Sequence, residues 1–479
     1  MFPAAVMIFL LAGCSTDQPA PVQAITHEVP SRKTDTLPDA DPLLISLAQF
    51  RADSTLRHAS IAYCFLEDSS DRVIAELNPA LALVPASAMK LFTTAAALEI
   101  LKPETRFKTS LHYEGTITGK TLHGNIILKG GGDPTFCHGE QTMKILFTHW
   151  AGAIKKLGID SVDGSVIGDG RVFDEDYIPY TWTWGEINLA YCAAASGLSV
   201  NGNLYQLFFD PVNNKRFNSG SVSVMPVIPE ESFHNRLIET ATDEEDVFLV
   251  GHPQTRTKTL RGVFPKDKKE VSVVAAVSNP TLVAASEFLN ALAKNGVTVT
   301  GKAFSVADSD SLAERLTKAS IRDITAVQSP TVSSIVYTTN QSSYNFFAEN
   351  LLKHMGVKIM RYGGTEAGTM AVQHYFKSKG MPMGGFAMFD GSGISRFNTA
   401  TVSQMVWLLS YMQNSPASAR FKTSLSVAGV SGTPRTMCIN GDAEGMVQAK
   451  RSFLPSSSII SMALRWTSVT RSGISWMPW

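Results

Sequence analysis

The stretch "PASAMKLFTTAAALEILKP", residues 85–103, constrains the fold more than any other part of the chain. Pro85 precedes it and Pro103 follows it, and proline is tolerated where a helix starts but cannot continue one. Between them Ala and Leu dominate and leave no broad polar face, so the spacing predicts a helix buried on most sides. Such a helix needs other elements packed all round it. A chain of 479 residues, 44% apolar and 18% charged, has the material for that, and its length predicts two or three domains. The balance of 42 basic against 42 acidic residues gives no reason to expect a nucleic-acid partner.

Around this helix the texture of the chain changes twice. Strand-like "HASIAYCFLED" and "RVIAEL" come before it, joined by a polar turn. From about 107 to 330 the pattern is β-rich, with "FKTSLHYEG", "GNIILKGGGDPT", "SVDGSVIGDG", "DVFLVG" and "KEVSVVAAVSNP" separated by turn residues, while "FLNALAKNG" reads as helical. Helices return with "SSIVYTTNQSSYNFFAENLLKHMG" and "TVSQMVWLLSYMQ". The middle of the chain therefore reads as one or two inserted modules.

The buried helix begins with chemistry. Ser87 and Lys90 lie three apart, on one helical face, so the lysine amine can reach the serine hydroxyl. A serine hydroxyl is a poor nucleophile until a base takes its proton, and a desolvated, neutral lysine can do so. As a bare pattern the pair also fits a helix cap followed by a surface lysine. "SSYN" offers Ser343 and Asn345, a hydroxyl that could relay a proton and an amide that could orient a substrate; alone, it also fits polar decoration at a helix start. "LKGGGDPT" lacks the Gly-Lys-Ser/Thr that phosphate binding needs and reads as a turn. No metal site is legible in the ten histidines and five cysteines, and Cys64, Cys137, Cys192 and Cys438 cannot be paired from sequence.

Together these pieces resemble one family, the serine penicillin-binding enzymes with SxxK, SxN and KTG motifs, in particular the D-alanyl-D-alanine carboxypeptidase/endopeptidase group, low-molecular-mass class C, with a large insertion between the first two motifs. "PASAMKLFTTAAALEIL", "GNIILKGGGDPT", "INLAYCAAASGLSVNGN", "SPTVSSIVYTTNQSSYNFFAENLL", "FDGSGISRFN" and "SLSVAGVSGTPRT" follow that family's order over about residues 42 to 450. The resemblance implies an α+β fold: a penicillin-binding/β-lactamase-like domain, a helix-flanked antiparallel sheet built from 41–106 and 331–450, interrupted by β-rich inserted domains over 107–330. It implies that Ser87 is the acyl-forming nucleophile, Lys90 its general base, Ser343 a proton relay and Asn345 a holder of the substrate amide. Lys450 in "GMVQAK" would be the lysine of the third motif, its positive charge keeping Lys90 neutral and attracting the peptide's terminal carboxylate. Tyr344 departs from the usual Asp or Asn between Ser343 and Asn345. The implied substrates are peptidoglycan stem peptides, the implied inhibitors β-lactams, and no cofactor is expected. A β-lactamase shares the motifs but lacks an insertion that would put the first two 256 residues apart.

After Lys450 the pattern changes. The family continues Thr-Gly, then a strand supplying an oxyanion-hole N–H, another strand and a closing helix. Here Arg451-Ser452 follows, and 451–479 holds eight serines, three of the seven tryptophans and no Asp or Glu. With no period of 2 or 3.6 the tail is expected to pack poorly, the last strands and closing helix to be missing. A two-base loss from Thr-Gly codons can give Arg-Ser, when the Thr codon ends in A or C, the Gly codon is GGT and the next begins with C, so a reading-frame shift near codon 450 is the expected origin. An alternative to an active enzyme is then a catalytically dead envelope protein that binds peptidoglycan.

At the other end, "MFPAAVMIFLLAGC" is an apolar run too short to span a bilayer, ending in "LAGC", which resembles a lipobox. The expectation is a lipoprotein signal over 1–14, lipid on Cys14, a Pro-rich linker over 15–40, and a protein held on the periplasmic side of a bacterial envelope through its membrane anchor. No Lys or Arg precedes the run, which departs from the pattern.

Overall fold

The computed structural model describes residues 5–13, 42–67, 72–229, 231–252, 255–441, 444–454 and 459–466. The helix expected to be buried is Met89–Ile100, preceded by a single 3-10 turn Ala86–Ala88, and every residue in it except Glu99 is buried. The helices Val332–Ser342, Asn345–Met360 and Thr365–Ser378 pack against it, and Val402–Gln413 contributes to the same apolar core.

On one side of this core lies a six-stranded sheet whose neighbours all run antiparallel, in the order Ser426–Val427, Val447–Leu454, Ile459–Trp466, Ala5–Gly13, Ala59–Glu67, Arg72–Leu77. The period-2 alternation of a strand divides its side chains between two cores. Ala62, Cys64 and Leu66 face the serine helix, whereas Tyr63 and Phe65 join Leu47, from the helix Pro42–Ala52, in a second cluster. The same rule orients the strand Val447–Leu454. Val447 and Ala449 enter that second cluster, so Lys450 points to the opposite face, toward the serine helix.

The inserted region leaves and returns through paired strands: Lys108–Thr118 runs antiparallel to Ile321–Gln328, with Lys108 opposite Gln328. It has its own core, centred on Trp150, Phe147 and Phe288, beneath a seven-stranded sheet and two smaller ones. The inserted region also holds helices that its β-rich texture hid. Glu140–Lys156 buries Met143, Phe147, Trp150, Ala151 and Ile154, a stripe at helical spacing diluted by the Thr, Ile, Phe and Trp that favour strands. Asp310–Lys318 is a second, and "FLNALAKNG" lies largely within Pro280–Lys294.

Both chain ends depart from expectation. The last strands are present: Val447–Leu454 and Ile459–Trp466 pair with each other, Lys450 opposite Ala463. Backbone pairing needs little from side-chain patterning, which is why a tail without a clear period still forms a ladder. The residues after Trp466, where the closing helix was expected to be missing, lie outside the described ones. Ala5–Gly13, expected to be part of a leader, is a strand between Ile459–Trp466 and Ala59–Glu67. An uninterrupted, charge-free apolar run suits a strand covered on both faces as well as it suits a leader. Cys14 and the linker lie outside the described residues.

Candidate active site

Ser87 sits in the turn that opens the serine helix, half-buried, while Lys90 one turn on is completely buried. Lys90 Nζ lies 3.0 Å from Ser87 Oγ and donates to the Ser392 carbonyl at 2.5 Å. Burial pushes its amine down to about 7, against the upward pull of Asp390 and Glu349. At neutral pH a substantial fraction of Lys90 is therefore uncharged and able to accept a proton.

The backbone before the nucleophile is held in an uncommon conformation. Ala86, fully buried, has φ +46, a left-handed value that disfavours a residue with a β-carbon. What holds it is the loop 390–395, whose Gly393 lies so close that a β-carbon there would meet the Ala86 carbonyl oxygen at 1.8 Å. Glycine is required at 393 by that approach and by its φ of +85.

Two buried carboxylates fix this loop. Asp390 accepts from the backbone N–H of Gly393 at 2.8 Å and of Ser395 at 2.6 Å, from Asn398 Nδ2 at 2.7 Å and from Trp182 Nε1 at 2.8 Å. Glu349, in the middle of the helix Asn345–Met360, accepts from the N–H of Gly391 at 3.0 Å and of Ser392 at 2.7 Å. Burial, then the Asp390 charge, pushes the Glu349 carboxyl up. Thr93, one turn beyond Lys90, donates to the Gly391 carbonyl at 2.6 Å.

Ser343 ends the helix Val332–Ser342 in a left-handed conformation, and Asn345 begins the next one. The end of the first helix is fastened by Asn340. Its side chain donates to Ser424 Oγ at 2.8 Å and to Thr94 Oγ1 at 3.2 Å, and its carbonyl accepts from Lys450 Nζ at 3.0 Å. Lys450 is almost completely buried, and burial, then the neighbouring Lys90, pushes its amine well below the ordinary lysine range. The positive charge expected of Lys450 is thus opposed in this state, and an anion arriving beside it would restore it.

The structure therefore gathers Ser87, Lys90 and Lys450 around one helix start. Among the described residues Ser343 Oγ makes no hydrogen bond to either lysine, and Asn345 Nδ2 donates to the Tyr191 carbonyl of the inserted region at 2.8 Å. The Ala86–Ala88 turn packs against the backbone of both Val447–Leu454 and Ile459–Trp466, so the wall expected to be lost beside the nucleophile is there as a strand. Arg451 and Ser452 lie in it where Thr-Gly was expected; their side chains are outside the described ones.

Glu349, Asp390, Asn340 and Trp182 were missed by sequence reasoning. One signal was available for Glu349: an acid among Phe346, Phe347, Leu351 and Leu352, on a helix whose residues from Phe346 to Gly356 are all buried. Trp182 belongs to the inserted region and packs with Ile187, Cys192 and Ile394, which seats that region against the loop.

A model of the "D-Ala-D-Ala carboxypeptidase 3 (S13) family" matches residues 43–456. The chain is 29% identical over 400 residues to the D-alanyl-D-alanine carboxypeptidase of Actinomadura sp. (strain R39), covering 79% of this chain and 70% of that one. It is 23% identical over 371 residues to the D-alanyl-D-alanine carboxypeptidase DacB of Haemophilus influenzae, covering 76% and 73%. Among solved structures, penicillin-binding protein 4 of Haemophilus influenzae aligns with a TM-score of 0.67 at 20% identity, over 84% of this chain and 89% of that chain. The same protein complexed with a β-lactam gives a TM-score of 0.64 at 19% identity, over 85% and 90%.

Proposed function

Because the chain belongs to the D-Ala-D-Ala carboxypeptidase 3 (S13) family, we propose that it cleaves the D-Ala-D-Ala bond of peptidoglycan stem peptides through an acyl-enzyme on Ser87. The observation that carries this reading is the fully buried Lys90 amine, depressed to about 7 and 3.0 Å from Ser87 Oγ. Neutral Lys90 takes the Ser87 proton as Oγ bonds to the carbonyl carbon of the penultimate D-alanine. The C–N bond then breaks, and the proton passes to the leaving D-alanine amine with Ser343 as relay. Water hydrolyses the ester and regenerates the serine. Asn345 holds the substrate amide once its donor leaves Tyr191, and Lys450 takes the terminal carboxylate, whose charge favours the protonated amine.

A β-lactam would acylate the same serine. Fluorescent penicillin should label the protein, and a soluble peptide ending in D-Ala-D-Ala should release D-alanine; both should vanish in Ser87→Ala. Absence of both in the unaltered protein would sink the reading.

The replacement of Thr-Gly by Arg451-Ser452 favours a second reading, a protein that binds peptidoglycan and turns over slowly or not at all. It predicts sacculus binding indifferent to Ser87→Ala and Lys90→Met. Attachment to the periplasmic side of the envelope through lipid on Cys14 belongs to either reading; palmitate labelling that persists in Cys14→Ser would refute it.

A further inference from the structure

We propose that Glu349 is a positioning residue for the general base: by gripping the backbone N–H groups of Gly391 and Ser392 it fixes the two peptide units that lead to the Ser392 carbonyl, so that Lys90 gives that carbonyl one N–H and turns its lone pair to Ser87. This rests on the acylation chemistry proposed above and adds a residue to it.

A neutral amine has two N–H bonds and one lone pair. To act as a base it must point the lone pair, not a hydrogen, at the serine proton, and a flexible lysine stem does not choose between them. At 2.5 Å the Ser392 carbonyl is the nearest acceptor, so it takes an N–H. The Ser392 carbonyl shares its peptide plane with the Gly393 N–H, which Asp390 holds at 2.8 Å, and Glu349 holds the two peptide units before it. Both Glu349 oxygens face the Gly391 N–H, at 3.0 and 3.1 Å, and Oε1 also takes the Ser392 N–H at 2.7 Å. Glu349 is about 1% exposed and sits within the buried stretch Phe346–Gly356 of its helix, where an acid is costly unless it is paired and hydrogen-bonded. Asp390, with its four donors, holds the far side of the same loop, so the carbonyl is set between the two carboxylates.

The groups facing Lys90 are Glu349 from the helix Asn345–Met360, Asp390 from the loop, and Lys450 from the strand Val447–Leu454. Glu349 thus acts on Lys90 in two separable ways, by the loop backbone it holds before the carbonyl and by its own negative charge, which raises the amine's proton affinity.

The experiment measures acylation by fluorescent penicillin against pH in the unaltered protein, Glu349→Gln, Glu349→Asp and Thr93→Val. Glu349→Gln keeps the shape and removes the charge, so the plateau rate should fall and the rising limb should move to lower pH. Glu349→Asp keeps the charge but withdraws it by one methylene; the plateau should fall about a hundredfold, the cost of an ångström of misplacement. Thr93→Val loosens the same loop through Gly391 without touching a charge, so its plateau should fall with the limb unmoved. Thermal unfolding of each variant separates these effects from loss of fold, which lowers amplitude and leaves the limb in place. A Glu349→Gln protein with the original plateau and limb would overturn the proposal, as would losses in all three variants accounted for by the unfolded fraction.

Should Glu349→Gln not fold, Glu349→Asp and Thr93→Val decide, and original plateaus in both overturn the proposal. A second arm observes Lys90 directly, by 13C-lysine titration of the unaltered protein and Glu349→Gln. A Lys90 midpoint that does not fall contradicts the contact. This arm holds even if the unaltered protein takes no label, an outcome that would refute the acylation chemistry alone.

Discussion

The two walls of the site are built differently. On the nucleophile side, Lys90 is bracketed by Ser87 and the Ser392 carbonyl, and the loop behind it is held by Glu349, Asp390 and Thr93. On the facing wall, Lys450 has the Asn340 carbonyl, and the next two residues are Arg451 and Ser452 in place of the family's Thr-Gly. The first wall is over-determined by buried polar contacts that cost heavily if one partner is removed. The second rests on backbone ladder pairing, which accepts many sequences. A site of this kind can retain the means to form an acyl-enzyme while losing much of its grip on the substrate.

The contrast can be broken most severely on the first wall. Ser87→Ala should abolish covalent penicillin labelling while leaving the melting curve nearly unchanged, because the side chain is half-buried and its loss opens no large cavity. Lys90→Met should slow acylation by about a thousandfold, within the range that general-base removal usually costs, as read by stopped-flow labelling. On the second wall the sign reverses: the double change Arg451→Thr, Ser452→Gly should raise the acylation rate by about a hundredfold if the family's strand geometry returns, the scale of one oxyanion donor. An unchanged rate would show that this wall is already competent.

Smaller effects sharpen the same comparison. With the Lys90 amine near 7, acylation should rise with pH through about 7, because only the neutral amine accepts the serine proton. A rate flat from pH 5 to 8 would remove Lys90 as the base. Asn340→Ala cuts the ties to Ser424 and Thr94 and should cost about 1–3 kcal/mol in denaturant unfolding. Its effect on labelling should be the least of these changes, since the carbonyl that holds Lys450 stays.

Local features of the site were legible and remote ones were not. Ser87 and Lys90 are three apart on a helix whose composition already declared its burial, so spacing put them together and the family resemblance gave them their roles. Lys450 was legible only through its place in the family's third motif; the structure adds that it faces away from Val447 and Ala449. Glu349, by contrast, acts through backbone groups 42 to 43 residues away, and Trp182 reaches Asp390 across 208. No periodicity encodes such contacts; only the cost of a buried acid hinted at one. The helix Glu140–Lys156 was hidden for a different reason: its strand-favouring residues outvoted a stripe of five apolar positions until packing decided the matter.

The strand Ala5–Gly13 comes first in the chain and fourth in the sheet, joining Ile459–Trp466 to Ala59–Glu67. Cutting the chain after Gly13 would therefore not trim an end but part the sheet down its middle, baring two facing rows of unpaired amides and carbonyls. The nine residues of this strand therefore close the sheet across its middle, and a chain without them would carry two separate half-sheets.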